Sequence, residues 1–128
     1  MCSNGRCGSP PGEAASAAKA GAGLTGELIA GFPDATVAVL GDLAYPSATA
    51  EQFDACYDPF WGPFVDRTRP AIGNHDLDAD GGAPYYDTFG DAAGTPGQGW
   101  YSYDLGTWHV VVLNSNCDYT PCEAGSAQ

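Results

Sequence analysis

The chain has 128 residues, of which 16 are acidic and only 4 are basic, so its formal net charge is −12 at pH 7. Nucleic-acid binding depends on lysine and arginine contacts with phosphates, and this charge balance argues against a nucleic-acid partner and against an acidic membrane surface. The longest apolar stretches, near 37–40 and 110–113, fall far short of the roughly 20 residues that cross a bilayer.

The Ala-rich segment 13–30 predicts a helix, because its leucine and isoleucine residues recur at helical spacing. The next segment, 35–40, is a continuous apolar run that ends at Gly41. Because this run lacks alternation, it predicts a central strand that is buried on both faces.

A second helix is predicted to begin with Thr49 as its cap and to end at Pro59. A short strand over 69–72 follows it. Strand, helix and strand within about 40 residues are typical of one βαβ crossover, which belongs to a parallel sheet.

The C-terminal third predicts a short helix near 84–89 and then a β-hairpin. The hairpin pairs 100–105 with 108–113 across Gly106-Thr107, since two runs rich in aromatic and β-branched residues flank a short turn. The predicted fold class is therefore α/β, with a βαβ unit followed by a β-hairpin.

Five cysteines are many for a chain of this length, and they lie at positions 2, 7, 56, 117 and 122. The close pairs Cys2–Cys7 and Cys117–Cys122 predict short-loop disulfides, which form in oxidising compartments. We therefore expect an extracellular or periplasmic protein, although no signal peptide is present in the sequence; reduced thiols in a cytosolic protein are the alternative. Cys56 is left over and is expected to pack as a small hydrophobic residue on its helix.

Polar residues follow both strands of the predicted βαβ unit. Asp42 comes directly after Gly41, and Asn74 comes directly after Gly73. The carboxyl ends of parallel strands lie at one edge of a sheet, where ligand sites of open α/β sheets are found. A carboxylate that can bridge two cations and a neutral amide oxygen are therefore expected close together.

Two further residues extend this pattern. His75 can supply a proton near neutral pH, and Asp76 is expected to orient the His75 ring and to favour its charged form.

The segments 41–45 (GDLAY) and 73–76 (GNHD) resemble the second and third motifs of calcineurin-like metallophosphoesterases. Tyr45, where other branches often have aspartate, points to the purple acid phosphatase-like branch. The resemblance extends over 53–69 and from Tyr101 to Ser115, so it covers most of the chain.

The resemblance implies a role for each matching residue. Asp42 would bridge two metal ions, Tyr45 would bind a ferric ion, and Asn74 would bind the second, divalent metal. His75 would contact the substrate phosphate or assist the leaving group. The implied enzyme is a metal-dependent phosphoric ester hydrolase that acts on small-molecule phosphate esters and carries a dinuclear centre of iron with zinc, manganese or iron.

The sequence departs from the family pattern at both ends. No aspartate precedes Glu13, where the first motif would supply a ligand, and the later histidine motifs do not appear before Gln128. His109 is expected to be an ordinary sheet residue. Residues 1–128 are therefore expected to form a partial metallophosphoesterase sandwich that lacks the first strand and the C-terminal half.

Two alternatives remain open from the residues. Asp76, Asp78 and Asp80 precede Gly81 with the spacing that opens an EF-hand calcium loop, so a calcium-stabilised binding module is one alternative. A strand before Gly73, where an EF-hand needs a helix, and Pro84 inside the loop count against it. The second alternative is that the chain is a non-catalytic remnant that is kept for binding.

Overall fold

The computed structural model describes the backbone of residues 2–3, 6–7 and 13–20, and backbone and side chains from residue 21 to residue 128. The described part is mixed α/β and contains small parallel and antiparallel sheets. The strands are β1 (Cys2–Ser3), β2 (Arg6–Cys7), β3 (Val37–Leu40), β4 (Thr68–Ala71), β5 (Tyr101–Leu105) and β6 (Trp108–Val112). The α-helices are α1 (Glu13–Ala30), α2 (Ala50–Gln52), α3 (Asp58–Trp61), α4 (Asn74–Leu77) and α5 (Ala83–Phe89).

The predicted βαβ crossover is confirmed. Strands β3 and β4 pair in parallel, with Val37 opposite Thr68 and Leu40 opposite Ala71. Both strands therefore end at the same level, so the loops that follow them leave from one edge of the sheet.

The crossover between β3 and β4 is a chain of short helical segments. Thr49 caps it as predicted, because its hydroxyl accepts from the Gln52 amide and the Gln52 side chain accepts from the Thr49 amide. The prediction that Pro59 ends this helix is wrong. A π-helical turn (Phe53–Tyr57) comes first, and Pro59 then lies in the first turn of α3, where a helix does not need its missing N–H.

The burial of β3 also differs from the prediction. Val37 and Val39 are buried, but Ala38 is exposed and Leu40 is 88% exposed. Only one face of β3 packs against the core, and its other face is exposed in the described part of the chain. The expectation of a strand buried on both faces is therefore wrong.

The core on the covered face is rich in aromatic residues. Phe89 packs edge-on against Phe53 and Tyr57 and also contacts Tyr85, with ring centroids 5.2 to 6.4 Å apart. These contacts hold the crossover segments against α5 and place both beneath the sheet.

The predicted hairpin is confirmed, and it lies beside β4. Strands β5 and β6 are antiparallel, with Tyr101 opposite Val112 and Leu105 opposite Trp108. Two tyrosine hydroxyls donate to one carbonyl of β4, since Tyr85 and Tyr101 reach Pro70 O at 3.1 and 2.8 Å.

The structure confirms one of the predictions made for the cysteines and contradicts another. The Cys117–Cys122 disulfide is confirmed. Cys56 is also disulfide-bonded, so the expectation of an unpaired Cys56 is wrong. The predicted Cys2–Cys7 bond lies outside the residues whose side chains are described.

No helix among residues 13–128 or in the described N-terminal pieces is both long and apolar enough to span a bilayer.

Candidate metal centre

The candidate site lies where β3 and β4 end. Asp42 occupies the left-handed region with φ of +55°, directly after Gly41 at φ of +86°. The backbone N–H of His75 donates to Asp42 Oδ1 at 3.1 Å. The loop after β3 and the loop after β4 are therefore in direct contact, as the parallel crossover requires.

Two glycines allow this contact. A Cβ built on Gly41 would lie 2.8 Å from Gly73 Cα and N, and a Cβ on Gly73 would overlap the Asp42 carboxylate and its backbone nitrogen. Gly73 has an ordinary φ of −93°, so space alone requires glycine at this position. Position 41 requires glycine both because a Cβ has no room there and because its φ is positive.

Asp42, Tyr45 and His75 form one side-chain cluster. The Tyr45 hydroxyl donates to Asp42 Oδ2 at 2.9 Å, and the Tyr45 ring lies against the His75 ring with centroids 4.6 Å apart. The hydrogen bond to Asp42 raises the pKa of Tyr45, and burial adds to this effect. The phenol therefore keeps its proton until a cation competes for the same oxygen.

A hydrogen bond to the Pro46 carbonyl fixes the His75 ring. Its Nδ1 lies 2.6 Å from Pro46 O, and because a carbonyl only accepts, this nitrogen carries the proton. Asp78 Oδ2 lies 3.7 Å from the same nitrogen. In the neutral ring Nε2 is then the atom that can accept a proton, and in the charged ring it is the atom that can donate one.

Asp76 does not orient His75, so that expectation is wrong. Asp76 is fully buried, and its carboxylate accepts three backbone N–H groups: Oδ2 accepts from Asp42 and Gly73 at 2.8 and 2.9 Å, and Oδ1 accepts from Leu43 at 2.9 Å. Burial raises the pKa of Asp76, while the three donors oppose that shift.

The same contacts argue against the calcium-loop alternative. An EF-hand needs the first aspartate of its loop to face the ion, but the Asp76 oxygens point into the protein towards Asp42, Leu43 and Gly73. Asp78 and Asp80 are exposed. The three aspartates therefore face different surroundings.

Asn74 is the first residue of α4 and is exposed, next to the Asp42–His75 contact. In the described residues no group of three or more His, Cys, Asp or Glu side chains could hold a metal ion. A centre built on this edge would rely on the Tyr45 phenol and the Asn74 amide in addition to Asp42. Carboxylate, phenol and amide oxygens are donor types that suit ferric and divalent cations.

The sequence analysis did not identify the two groups that lie beside His75 Nδ1, Asp78 and the Pro46 carbonyl. Asp78 lies three residues after His75, and on a helix this spacing brings side chains to one face, so it was a usable signal. No sequence signal pointed to the Pro46 carbonyl. Behind the site, the Asn116 side chain donates to Ile72 O at 3.3 Å and supports the end of β4.

No protein-family model matches the chain, and no curated protein or solved structure is significantly similar to it.

Proposed function

We propose that the chain is part of a calcineurin-like metallophosphoesterase domain of the purple acid phosphatase-like branch, which hydrolyses small-molecule phosphate esters. The observation that carries this proposal is the contact of the GDLAY and GNHD loops at one sheet edge, through His75 N and Asp42 Oδ1. Neither motif is specific alone, but the fold joins them where α/β sheets bind ligands.

A dinuclear centre of iron with zinc, manganese or iron would polarise the phosphoryl group and lower the pKa of a bound water. Asp42, Tyr45 and Asn74 would hold the ions. Asp42 already presents both carboxylate oxygens to this edge, one to His75 N and one to the Tyr45 hydroxyl. Tyr45 must release its proton on metal binding, so binding should be coupled to proton release.

His75 would act on the phosphate or on the leaving group. Its Nδ1 is fixed by Pro46 O, and the Tyr45 ring restricts its rotation. In its charged form the ring can donate from Nε2 to a phosphate oxygen or to the departing alcohol. Asp78 Oδ2 lies 3.7 Å from Nδ1, on the side of the ring away from Nε2.

The domain organisation belongs to the same proposal. A partial two-layer sandwich accounts for the uncovered face of β3, where Leu40 is 88% exposed. The Cys117–Cys122 disulfide supports a location outside the cytoplasm, in an extracellular or periplasmic space.

The proposal is tested by loading the 128-residue chain with Fe(III) and then with Zn(II), Mn(II) or Fe(II). A phenolate that binds Fe(III) gives a visible charge-transfer absorption, which we expect in the wild type and not in Tyr45→Phe. Hydrolysis of phenyl phosphate should be slow, because the chain supplies only three of the expected ligands, but it should depend on the added metals.

Asp42→Asn is the decisive variant, and Asp80→Asn is its matched control. Both aspartates have a positive φ, +55° and +47°, and asparagine tolerates that region as well as aspartate does. Both substitutions remove one negative charge. We expect Asp42→Asn to abolish the absorption and the hydrolysis, and Asp80→Asn to keep both. Hydrolysis that survives Asp42→Asn, or a wild-type chain with neither signal, would overturn the proposal.

A further inference from the structure

Asp76 is a completely buried carboxylate in a strongly acidic chain. It accepts N–H groups from both loops of the candidate metal centre: Asp42 and Leu43 lie on one loop, and Gly73 lies on the other. Its side chain is shielded from solvent, since its exposed fraction is 0%. The carboxylate therefore joins the two loops from below.

The hydrogen bond between Asp42 N–H and Asp76 affects how the Asp42 side chain is held. Asp42 has a φ of +55°, a conformation that non-glycine residues adopt infrequently unless their surroundings hold them there. The Asp42 N–H points down to Asp76 Oδ2 at 2.8 Å, while Asp42 Oδ1 accepts from His75 N at 3.1 Å. One carboxylate thus fixes the backbone from which the second carboxylate is presented.

Aspartate is the side chain that this position needs. Three donors converge on its two oxygens, and an ionised carboxylate only accepts hydrogen bonds. An asparagine of the same shape would keep one acceptor oxygen and would turn an NH₂ group towards at least one N–H. Asparagine therefore fills the same volume but cannot satisfy all three donors.

We infer that Asp76 is a positioning residue, which sets the Asp42 carboxylate against the loop of His75 and so prepares the metal-bridging geometry. The expected effect of Asp76 on metal affinity rests on the proposed function. Its expected effect on the contact between Asp42 and His75 does not. Outer partners that hold a metal ligand in place typically contribute 10- to 100-fold to metal affinity.

The test compares Asp76→Asn with Asp80→Asn, an exposed aspartate four residues along the chain. Amide proton shifts are recorded by NMR without metal. In Asp76→Asn we expect the amide protons of Asp42, Leu43 and Gly73 to lose their downfield shifts. The His75 amide proton, which is bonded to Asp42 Oδ1 and not to Asp76, should also lose its downfield shift, because Asp42 Oδ1 is displaced. Asp80→Asn should leave all four unchanged.

The second readout is Fe(III) affinity, measured by the visible absorption of the wild type and of both variants. We expect Asp76→Asn to bind about 10- to 100-fold more weakly and Asp80→Asn to match the wild type. A folded Asp76→Asn with an unchanged His75 amide and unchanged affinity would overturn the positioning role. If the wild type binds no Fe(III), the proposed function fails, and the His75 amide shift alone decides the role of Asp76.

If Asp76→Asn does not fold, the inference can still be tested on the wild type. Hydrogen exchange of the Asp42, Leu43 and Gly73 amides should be slow and similar, because one buried carboxylate holds all three. Exchange as fast as in an open loop at these amides would contradict the inference.

Discussion

Gly73→Ala places one methyl group between the two loops of the candidate metal centre. The added Cβ would overlap the Asp42 carboxylate and its backbone nitrogen, so the loop after β3 must move away. Overpacking of this kind costs about 1–3 kcal/mol. The movement also strains the bonds from His75 N to Asp42 and from Asp42 N to Asp76, and a hydrogen bond to a charged group contributes about 1.5–3 kcal/mol.

We therefore expect Gly73→Ala to lower the free energy of unfolding by at least about 3 kcal/mol, a large share of the roughly 5–15 kcal/mol that stabilises a typical domain. The measurement is urea unfolding followed by tryptophan fluorescence, with linear extrapolation to water.

Gly21→Ala is the matched control, because it makes the same chemical change in α1. A Cβ on Gly21 meets nothing within 4 Å, and alanine is favoured over glycine inside a helix by roughly 0.5–1 kcal/mol. This variant should be more stable than the wild type. The steric argument is refuted if Gly73→Ala lies within about 0.5 kcal/mol of the wild type, the range of an ordinary surface substitution.

Four further changes have defined outcomes. The Tyr57 hydroxyl is buried and makes no hydrogen bond of good geometry in the described residues, although Thr68 lies nearby, so Tyr57→Phe should raise the free energy of unfolding by about 1 kcal/mol at neutral pH. Burial raises the pKa of Tyr57 from 10.0 to about 12. The wild type should therefore lose stability relative to Tyr57→Phe as the pH rises through that interval. If urea titrations give the same difference in unfolding free energy at every pH, this expectation is contradicted. Replacing Cys117 and Cys122 together by serine should cost about 2 kcal/mol, the chain-entropy value for so short a loop, and equal thermal midpoints of wild type and variant would show that the bond contributes nothing. Leu40→Gln should change stability by less than about 0.5 kcal/mol, whereas Val39→Ala should cost about 2 kcal/mol; a large loss for Leu40→Gln in chemical denaturation would mean that this face of β3 is covered.

Helix α1 and the hairpin could be predicted from local signals alone. Residues 13–30 are rich in alanine and carry leucine and isoleucine at helical spacing, and the structure begins and ends α1 at those same residues. The hairpin has two β-prone runs around Gly106-Thr107, and its register follows from that turn. In both cases the signal and its structural cause lie within a few residues of each other.

The burial of β3 depends on contacts that the local pattern does not contain. Alanine, valine and leucine satisfy a strand in the centre of a sheet and equally a strand with one uncovered face. Leu40 is apolar yet 88% exposed, because burial depends on which layers lie above and below the strand. Pro59 is ambiguous for a related reason, since proline either ends one helix or starts the next.

The carboxylate beside His75 was predicted two positions too early, at Asp76 instead of Asp78. Adjacent residues on a helix point about 100° apart, so Asp76 turns away from the ring of His75 and into the core. Asp78, three residues on, returns to the same face and lies 3.7 Å from Nδ1. Sequence adjacency identified the right helix, α4, but the helical geometry decides which carboxylate serves the ring and which one joins the loops.

The two tyrosine hydroxyls on Pro70 also bear on how the molecule meets other chains. A proline offers no N–H to an incoming strand, and here its carbonyl is already taken by Tyr85 and Tyr101. A strand from a neighbouring molecule would find neither a donor nor a free acceptor at the middle of β4. At Pro70, side-chain hydroxyls thus oppose intermolecular β-pairing by the strand that ends in the candidate metal centre, and within the described residues no third strand pairs with it.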